Sequence, residues 1–202
     1  MPSRTPAEES SDAALLAEAA AGGEAAFIEL YRRRRDDVYR FAYALTRSRS
    51  FAQDATQEVF LQVLENAGRF DAAKGTARAW LFGCARHVVI DRLRAENRRG
   101  DDAPEQAIAP DHEVRLLNEQ RLARLHAAIA ALPIEYREAL ALCELAELPY
   151  AEAAAVLDCP VGTVRSRLHR ARGLLTASLR ADEGDLDRIG ERTVMKATEV
   201  CS

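Results

Sequence analysis

Apolar residues along this chain recur three and four positions apart, and no segment alternates apolar and polar residues as a half-buried strand does. No proline lies between residues 7 and 103, so helices can run through that part without interruption. Beyond residue 115 the helical spacing resumes, with a core face at Leu122, Leu125, Ile129 and Leu132. The pattern predicts an all-α protein.

The helical pattern is broken once, by residues 100–114, which contain one glycine, two prolines and five acidic residues but no lysine or arginine. This is the composition of a flexible linker. The sequence therefore predicts two small helical domains with a linker between them and a tail at each end. The predicted ranges are an acidic N-terminal tail at 1–23, domains at 24–99 and 116–180, the linker at 100–115 and a C-terminal tail at 181–202.

Capping chemistry predicts where several helices begin. Ser50 and Gln53 have the spacing of a capping box, and a further helix is expected to begin near Thr76. Pro133 and Pro149 suit the first position of two later helices. The C-terminal tail is acidic and weakly periodic, so disorder is the default expectation and a regulatory contact is the alternative.

The segment CPVGTVRSRLHRARG, residues 159–173, carries four arginines and a histidine but no acid, in a chain of formal net charge −4. A short alanine-rich helix and a tight turn precede it, which predicts a helix-turn-helix whose second helix enters a major groove. The alternative is a solvated charged face. The expected apolar face comprises Val161, Val164, Leu168, Ala171 and Leu175, and the opposite face comprises Arg165, Ser166, His169 and Arg170. Arg167 and Arg172 flank this face and suit phosphates or intramolecular acids.

The segment SFAQDATQEVFLQVLENAGRF places a leucine among polar residues on the outer side of a helix. Its core side is expected to comprise Ala55, Val59, Phe60 and Val63. Its outer side carries Leu61 surrounded by Asp54, Gln57, Glu58, Gln62 and Glu65. An apolar anchor inside an acidic patch is typical of a docking surface for a basic partner, and the alternative is an ordinary acidic surface.

The next helix has an aromatic residue on its polar edge. Trp80, His87, Asp91 and Arg94 fall within one narrow sector at helical spacing, and Trp80 is the single tryptophan of the chain. Aromatic rings among cations are typical of single-stranded nucleic-acid sites, where bases stack and cations meet phosphates. A half-buried core tryptophan is the alternative.

Several classes of protein are disfavoured. No nucleophile–base pair, phosphate-binding loop or complete metal-ligand set stands out, so neither an enzyme nor a cofactor is expected; Cys84 and His87 alone are only half of a metal site. The four cysteines include no CxxC pair. The N-terminus lacks a signal peptide's apolar region, and no apolar run approaches the roughly 20 residues of a membrane span, so a cytoplasmic protein without membrane insertion is expected.

Four stretches, in order, resemble the extracytoplasmic-function (group IV) sigma factors of the sigma-70 family and together cover nearly all of residues 24–180. They are AFIELYRRRRDDVYRFAYALTR, DATQEVFLQVLENAGRF, TARAWLFGCARHVVIDRLRAENRR and ALPIEYREALALCELAELPYAEAAAVLDCPVGTVRSRLHRAR. The resemblance implies that the first domain binds the β′ clamp of core RNA polymerase and opens the −10 element of promoter DNA. It implies that the second domain reads the −35 element and that an anti-sigma factor restrains the protein. A two-domain regulator that does not act through core polymerase is the alternative.

The resemblance also assigns roles residue by residue. Polymerase docking falls to Asp54, Gln57, Glu58, Leu61 and Glu65. Recognition of the −10 element falls to a specificity loop at about 66–76 and to Asn66, Lys74, Trp80, His87 and Arg94. Recognition of the −35 element falls to Thr163, Arg165, Ser166, Arg167, His169 and Arg170.

Two departures from the family pattern stand out. His87 occupies the place of the asparagine that many members have in an ARN triplet, which bears on the −10 preference. Pro149 occupies the place of the serine in LSYxE, so Glu152 lacks the capping-box partner that serine would supply. Loss of such a cap costs roughly 0.5–2 kcal/mol, partly offset by the preset φ of proline.

Overall fold

The computed structural model describes the backbone of residues 6–99 and 113–199 and the side chains of residues 12–95 and 122–180. All regular structure in these residues is helical, which confirms the predicted fold class. The helices are α1 (Pro6–Ala20), α2 (Glu24–Thr46), α3 (Arg49–Asn66), α4 (Ala77–Arg99), α5 (Glu113–Ala130), α6 (Ile134–Leu140), α7 (Tyr150–Leu157) and α8 (Val161–Glu199). A 3₁₀ turn at Ala67–Arg69 follows α3, and a π-helical stretch at Ala141–Leu145 continues α6.

The first domain is a bundle of α1 to α4. Its core is built from the apolar faces that the 3.6-residue period predicts, and the predicted core side of α3 is buried throughout. At the centre, the rings of Phe41 on α2 and Phe82 on α4 meet edge to face with centroids 5.6 Å apart. This geometry is favourable because the positive edge of one ring faces the negative face of the other.

Helix α1 corrects the prediction that residues 1–23 form only a tail. It packs against α2, α4 and the 3₁₀ turn, and Leu16 is 1% exposed in the core. The helix ends where Gly22 takes φ +90°, a conformation that favours glycine, and the Gly23 N–H donates to the Glu18 carbonyl over 2.9 Å. The acidic composition of this segment concealed a helix that buries Leu16 and Ala19.

A buried ion network joins α1 to α2. The guanidinium of Arg34 binds the carboxylate of Asp12, with Nε 2.5 Å from Oδ2, and lies 3.3 Å from the carboxylate of Asp37. Asp37 in turn binds the more exposed Arg40. Asp12 and Arg34 are 1% and 2% exposed, so the network compensates charges that would otherwise be buried without a partner.

The helix starts agree with the predictions to within two residues. The N-cap of α3 is Ser48, whose Oγ accepts from the Phe51 N–H over 3.2 Å, so the predicted capping box at Ser50 and Gln53 is wrong. Thr76 caps α4 as predicted, since its Oγ1 accepts from the Ala79 N–H over 3.2 Å. Pro133 and Pro149 stand at the N-cap rather than at the first helical position. Their carbonyls accept the first helical hydrogen bonds.

The second domain contains α5 to α8. Helices α7 and α8 are joined by a turn in which Asp158 takes φ +50°, a left-handed C-cap, and this confirms the helix-turn-helix geometry. Val164, Leu168 and Ala171 of α8 are buried against the rest of the domain, as predicted. The opposite face of α8 therefore points outward.

Helix α8 continues beyond the second domain to Glu199, so disorder is the wrong prediction for residues 181–199. The residues 100–112, which contain most of the predicted linker, lie outside the described part of the chain, as do residues 200–202 with Cys201. Among the helices of the described part, none is long and apolar enough to cross a bilayer.

The two domains pack against each other, an arrangement that the sequence did not predict. Their buried apolar residues form one continuous cluster. Arg78 of α4 donates to the Ala146 carbonyl, and Arg137 of α6 donates to the Leu45 carbonyl over 2.5 Å, so each domain places an arginine on a helix end of the other. Arg86 of α4 also binds the Glu138 carboxylate of α6 over 2.8 Å.

Candidate nucleic-acid interface

Helix α8 presents the predicted polar face to solvent. Arg165, Ser166, His169 and Arg170 are exposed, while Thr163 and Arg167 are half-buried at its edges. The hydroxyl of Ser166 donates to the Thr163 carbonyl over 2.9 Å, one turn back along the helix. On this face, the exposed side chains of Arg165 and His169 are the groups best placed to form hydrogen bonds with base edges.

The arginines nearer the end of this face are held by other helices. Nη1 of Arg170 lies 3.4 Å from the hydroxyl oxygen of Tyr136, and this hydrogen bond raises the pKa of Arg170. Arg172 binds the carboxylate of Glu144, which raises the pKa of Arg172. Of the two roles predicted for Arg172, the structure shows the intramolecular ion pair. Tyr136 and Glu144 are partners that sequence analysis missed, because they lie about 30 residues away.

A cavity of about 620 Å³ opens between the 66–76 loop, α4 and α7. Four of the five residues predicted to recognise the −10 element line it, namely Asn66, Lys74, Trp80 and His87. The fifth, Arg94, does not line the cavity. It lies 3.4 Å from Asp91, which also lies 3.3 Å from Nε2 of His87. Asp91 thus lies between the imidazole and the guanidinium on the polar edge of α4.

Trp80 is half-buried: it packs against the apolar core and also lines the cavity. Its ring meets Phe70 edge to face with centroids 5.9 Å apart, and both rings line the cavity. Two adjoining aromatic faces with Lys74 and Arg69 nearby form a surface on which an unpaired base can stack. Phe70 was not singled out from the sequence, although an aromatic residue four positions before Lys74 in the same loop is a usable signal.

The thiol of Cys84 also lines this cavity. Burial raises the pKa of Cys84 to about 11, so the thiol stays protonated at neutral pH and is a poor metal ligand or nucleophile. Among the described residues, no group of three or more histidine, cysteine, aspartate or glutamate side chains is placed to hold a metal ion.

The outer face of α3 carries the predicted apolar anchor. Leu61 is 62% exposed, and Leu64 beside it is 47% exposed, so the apolar part is wider than predicted. Gln57 and Glu65 are exposed, as expected. The carboxylates of Asp54 and Glu58 lie 3.5 and 3.3 Å from Arg92 of α4. Arg92 therefore neutralises part of the acidic patch, a contact that the sequence did not reveal.

A helical bundle with an aromatic cavity, followed by a helix-turn-helix with a basic outer face, defines a two-domain DNA-binding protein. Residues 30–99 match the family model Sigma-70 region 2, and residues 122–175 match the family model Sigma-70, region 4. The chain is 39% identical over 183 residues to the probable RNA polymerase sigma-C factor of Mycobacterium bovis, a match that covers 89% of this chain and 97% of that protein. It is 38% identical over 151 residues to the ECF RNA polymerase sigma factor SigE of Mycolicibacterium smegmatis, covering 71% of this chain and 58% of that protein.

Solved structures agree with this likeness. CnrH, solved in complex with the cytosolic domain of CnrY, has a TM-score of 0.67 at 28% identity, covering 85% of this chain and 99% of that chain. The sigma factor RpoE of Bartonella quintana, solved with the anti-sigma factor NepR, has a TM-score of 0.66 at 26% identity, covering 77% of this chain and 98% of that chain. The chain belongs to the extracytoplasmic-function sigma factors of the sigma-70 family, which are transcription initiation factors.

Proposed function

We propose that this protein binds core RNA polymerase and directs it to promoters with two elements, −10 and −35. The observation that carries the proposal is the presence, in one chain, of a cavity with aromatic walls in the first domain and an outward basic helix in the second. The aromatic residues of the cavity lie within the residues that match region 2, and the basic face of α8 lies within those that match region 4. A regulator that only binds DNA has no need of a cavity for an unpaired base.

The second domain reads the −35 element through α8. Arg165 and His169 leave the exposed face of the helix and can hydrogen-bond to base edges in the major groove, where arginine pairs with guanine through two hydrogen bonds. Thr163 and Arg167 lie at the edges of the face, next to the DNA phosphates that border the major groove when α8 is inserted. The hydrogen bond from Arg170 to the hydroxyl of Tyr136 orients the guanidinium that would contact DNA.

The first domain holds one melted strand of the −10 element. A base that leaves the duplex stacks on Trp80 and Phe70, while Lys74 and Arg69 meet the phosphates on either side. Asn66 and His87 line the same cavity and offer hydrogen-bonding groups to the edge of the base. His87 stands where many members have asparagine, so the −10 preference cannot be carried over from those members.

The outer face of α3 docks on the β′ clamp of core polymerase. Leu61 and Leu64 supply the apolar contact, and Glu65 with Gln57 supplies the polar rim. We propose further that an anti-sigma factor restrains the protein in the cytoplasm, supported by the solved structure of RpoE with NepR at TM-score 0.66.

Transcription reconstituted from purified components tests the proposal. Core polymerase alone and core polymerase with this protein are each supplied with a library of genomic fragments, and the 5′ ends of the transcripts are sequenced. We expect start sites that depend on the protein and share two sequence elements at fixed spacing. DNA binding without any such start sites would favour a regulator that acts without core polymerase.

A further inference from the structure

Two arginines on α8 lie two positions apart and have different partners on the segment that begins with α6. Nη1 of Arg170 donates to the hydroxyl oxygen of Tyr136 over 3.4 Å. Arg172 forms an ion pair with the carboxylate of Glu144. Both arginines are exposed, so these contacts, rather than packing, restrict the direction of each guanidinium.

The position of Tyr136 is fixed by the fold. Its N–H donates to the Pro133 carbonyl over 3.0 Å in the first turn of α6, and its ring packs against the apolar core. The next residue, Arg137, donates to the Ala130 carbonyl and so ties α6 to the end of α5. Tyrosine has only two side-chain torsions to fix, whereas arginine has a large rotamer entropy. The hydroxyl of Tyr136 therefore orients the guanidinium of Arg170, and not the reverse.

The partner of Arg170 is neutral, which leaves the arginine able to bind a base. A guanidinium carries five N–H donors in a rigid planar fork, and the hydroxyl of Tyr136 accepts from one of them. The remaining donors are enough for the two acceptors that guanine presents in the major groove. Because the side chain is oriented before DNA binds, less conformational freedom is lost on binding.

The partner of Arg172 is charged, and the consequence is the opposite. Arg165, His169 and Arg172 are spaced i, i+4 and i+7, so Arg172 extends the side of α8 that carries the two exposed readers. An arginine that is free at this place contacts DNA phosphates and strengthens binding to every sequence alike. Glu144 lies in the π-helical stretch that continues α6, and its carboxylate neutralises Arg172.

We infer that Tyr136 and Glu144 raise the specificity of −35 recognition from outside α8: Tyr136 is a positioning residue that orients Arg170 towards base edges, and Glu144 keeps Arg172 from the DNA phosphates. The inference rests on the proposed function only in that α8 reads bases. Both residues act in the same direction, because the useful quantity is the ratio of specific to non-specific affinity. The first increases the specific affinity and the second decreases the non-specific one.

The test begins with a duplex that the protein itself selects. The full-length natural protein is used to select its preferred sequence from a library of short randomised DNA duplexes. Fluorescence anisotropy then measures binding of each full-length variant to the selected duplex, to its single-base-pair variants and to a scrambled duplex, at several salt concentrations. The midpoint of urea denaturation checks that each variant is folded.

Tyr136→Phe keeps the ring and removes the hydroxyl. It should weaken binding to the selected duplex by roughly two- to tenfold, the cost of ordering one arginine during binding, and leave binding to the scrambled duplex unchanged. The preference should relax at the same base pair as in Arg170→Ala. In the Arg170→Ala background, Tyr136→Phe should have no further effect. The control is Tyr39→Phe, which alters a half-buried tyrosine of the first domain and should match the natural protein.

Glu144→Gln should act in the opposite direction. It frees Arg172 and should tighten binding to the selected and scrambled duplexes alike, by about fivefold at about 0.15 M salt, because each additional phosphate contact scales as roughly the −0.9 power of salt concentration. The slope of log K against log salt concentration should steepen by about one. The control is Glu147→Gln, which removes an exposed acid three positions further along without freeing Arg172 and should leave the slope unchanged.

Three results would each overturn the inference. The first is a loss in Tyr136→Phe that is equal on both duplexes or persists in the Arg170→Ala background, because the hydroxyl would then not act through Arg170. The second is an unchanged salt slope in Glu144→Gln. The third is a selection that yields no preferred sequence, because α8 would then read no bases. Start sites that depend on core polymerase test the proposed function separately, since binding to duplexes is measured without polymerase.

Discussion

Asp12→Ala is expected to destabilise the first domain severely, although Asp12 lies outside the matched sigma-70 region 2. Asp12 is 1% exposed, and its carboxylate is the nearest partner of the buried Arg34 guanidinium. Removing one member of a buried ion pair leaves the other charge uncompensated and costs about 3–5 kcal/mol. Asp37 remains 3.3 Å from Arg34, so a value near the lower limit is expected.

Urea denaturation of the full-length protein measures this cost, with Trp80 fluorescence as the probe because the only tryptophan lies in the first domain. At a typical m-value of about 1.5 kcal/mol per molar urea, a loss of about 3 kcal/mol lowers the midpoint by about 2 M. The control is Glu29→Ala. Glu29 pairs with Arg33 at the surface, and such exposed pairs contribute about 0.2–1 kcal/mol.

The double variant Asp12→Leu with Arg34→Leu separates charge from packing. Replacing a whole buried pair by apolar residues is often neutral, so most of the lost stability should return. A midpoint shift below about 0.5 M for Asp12→Ala would refute the reasoning, because Arg34 would then be compensated without α1.

Three further predictions follow from the site. Leu61→Ala should weaken co-purification with core polymerase while leaving the midpoint in urea unchanged, because Leu61 is 62% exposed; equal binding would remove α3 from the docking surface. Arg165→Ala should cost roughly 1–3 kcal/mol in the free energy of binding to −35 duplexes and relax the preference at one base pair. Arg167→Ala should weaken binding to duplexes of every sequence alike and lower the slope of log K against log salt concentration by about one. Identical, sequence-independent losses in the two variants would show that α8 contacts only phosphates. At pH 8, Cys84 should react with iodoacetamide about a hundredfold more slowly than in the unfolded chain, because burial raises its pKa from 9.0 to about 11 and the thiolate is the reactive form. Peptide mass spectrometry measures that rate, which should rise as the pH approaches the raised pKa, and rapid labelling in the folded protein would contradict the burial.

The faces of α3 and α8 were predictable because they depend only on residues three and four positions apart. The predicted core face of α5 was wrong at Leu122, which is 52% exposed. Val164, Leu168 and Ala171 were expected in the core and are buried there. Arg165 and His169 were expected outside and are exposed. Capping was predicted less well. Ser48 and Ser50 both suit an N-cap, and their side chains contact each other at 3.0 Å, so local sequence could not choose between them.

The all-α class, the buried faces of α3 and α8 and the basic outer face of α8 could be predicted from the sequence alone. Each of these follows from local spacing, composition or backbone chemistry. Three features became visible only in the folded protein: α1 belongs to the first bundle, Arg92 neutralises Asp54 and Glu58, and α7 lines the cavity beside Trp80. Those facts depend on partners that lie far apart in the chain, such as Thr76 and Glu152. A polar side chain that has lost its local partner, as Glu152 has at Pro149, satisfies its hydrogen bonds wherever the fold brings a donor near it.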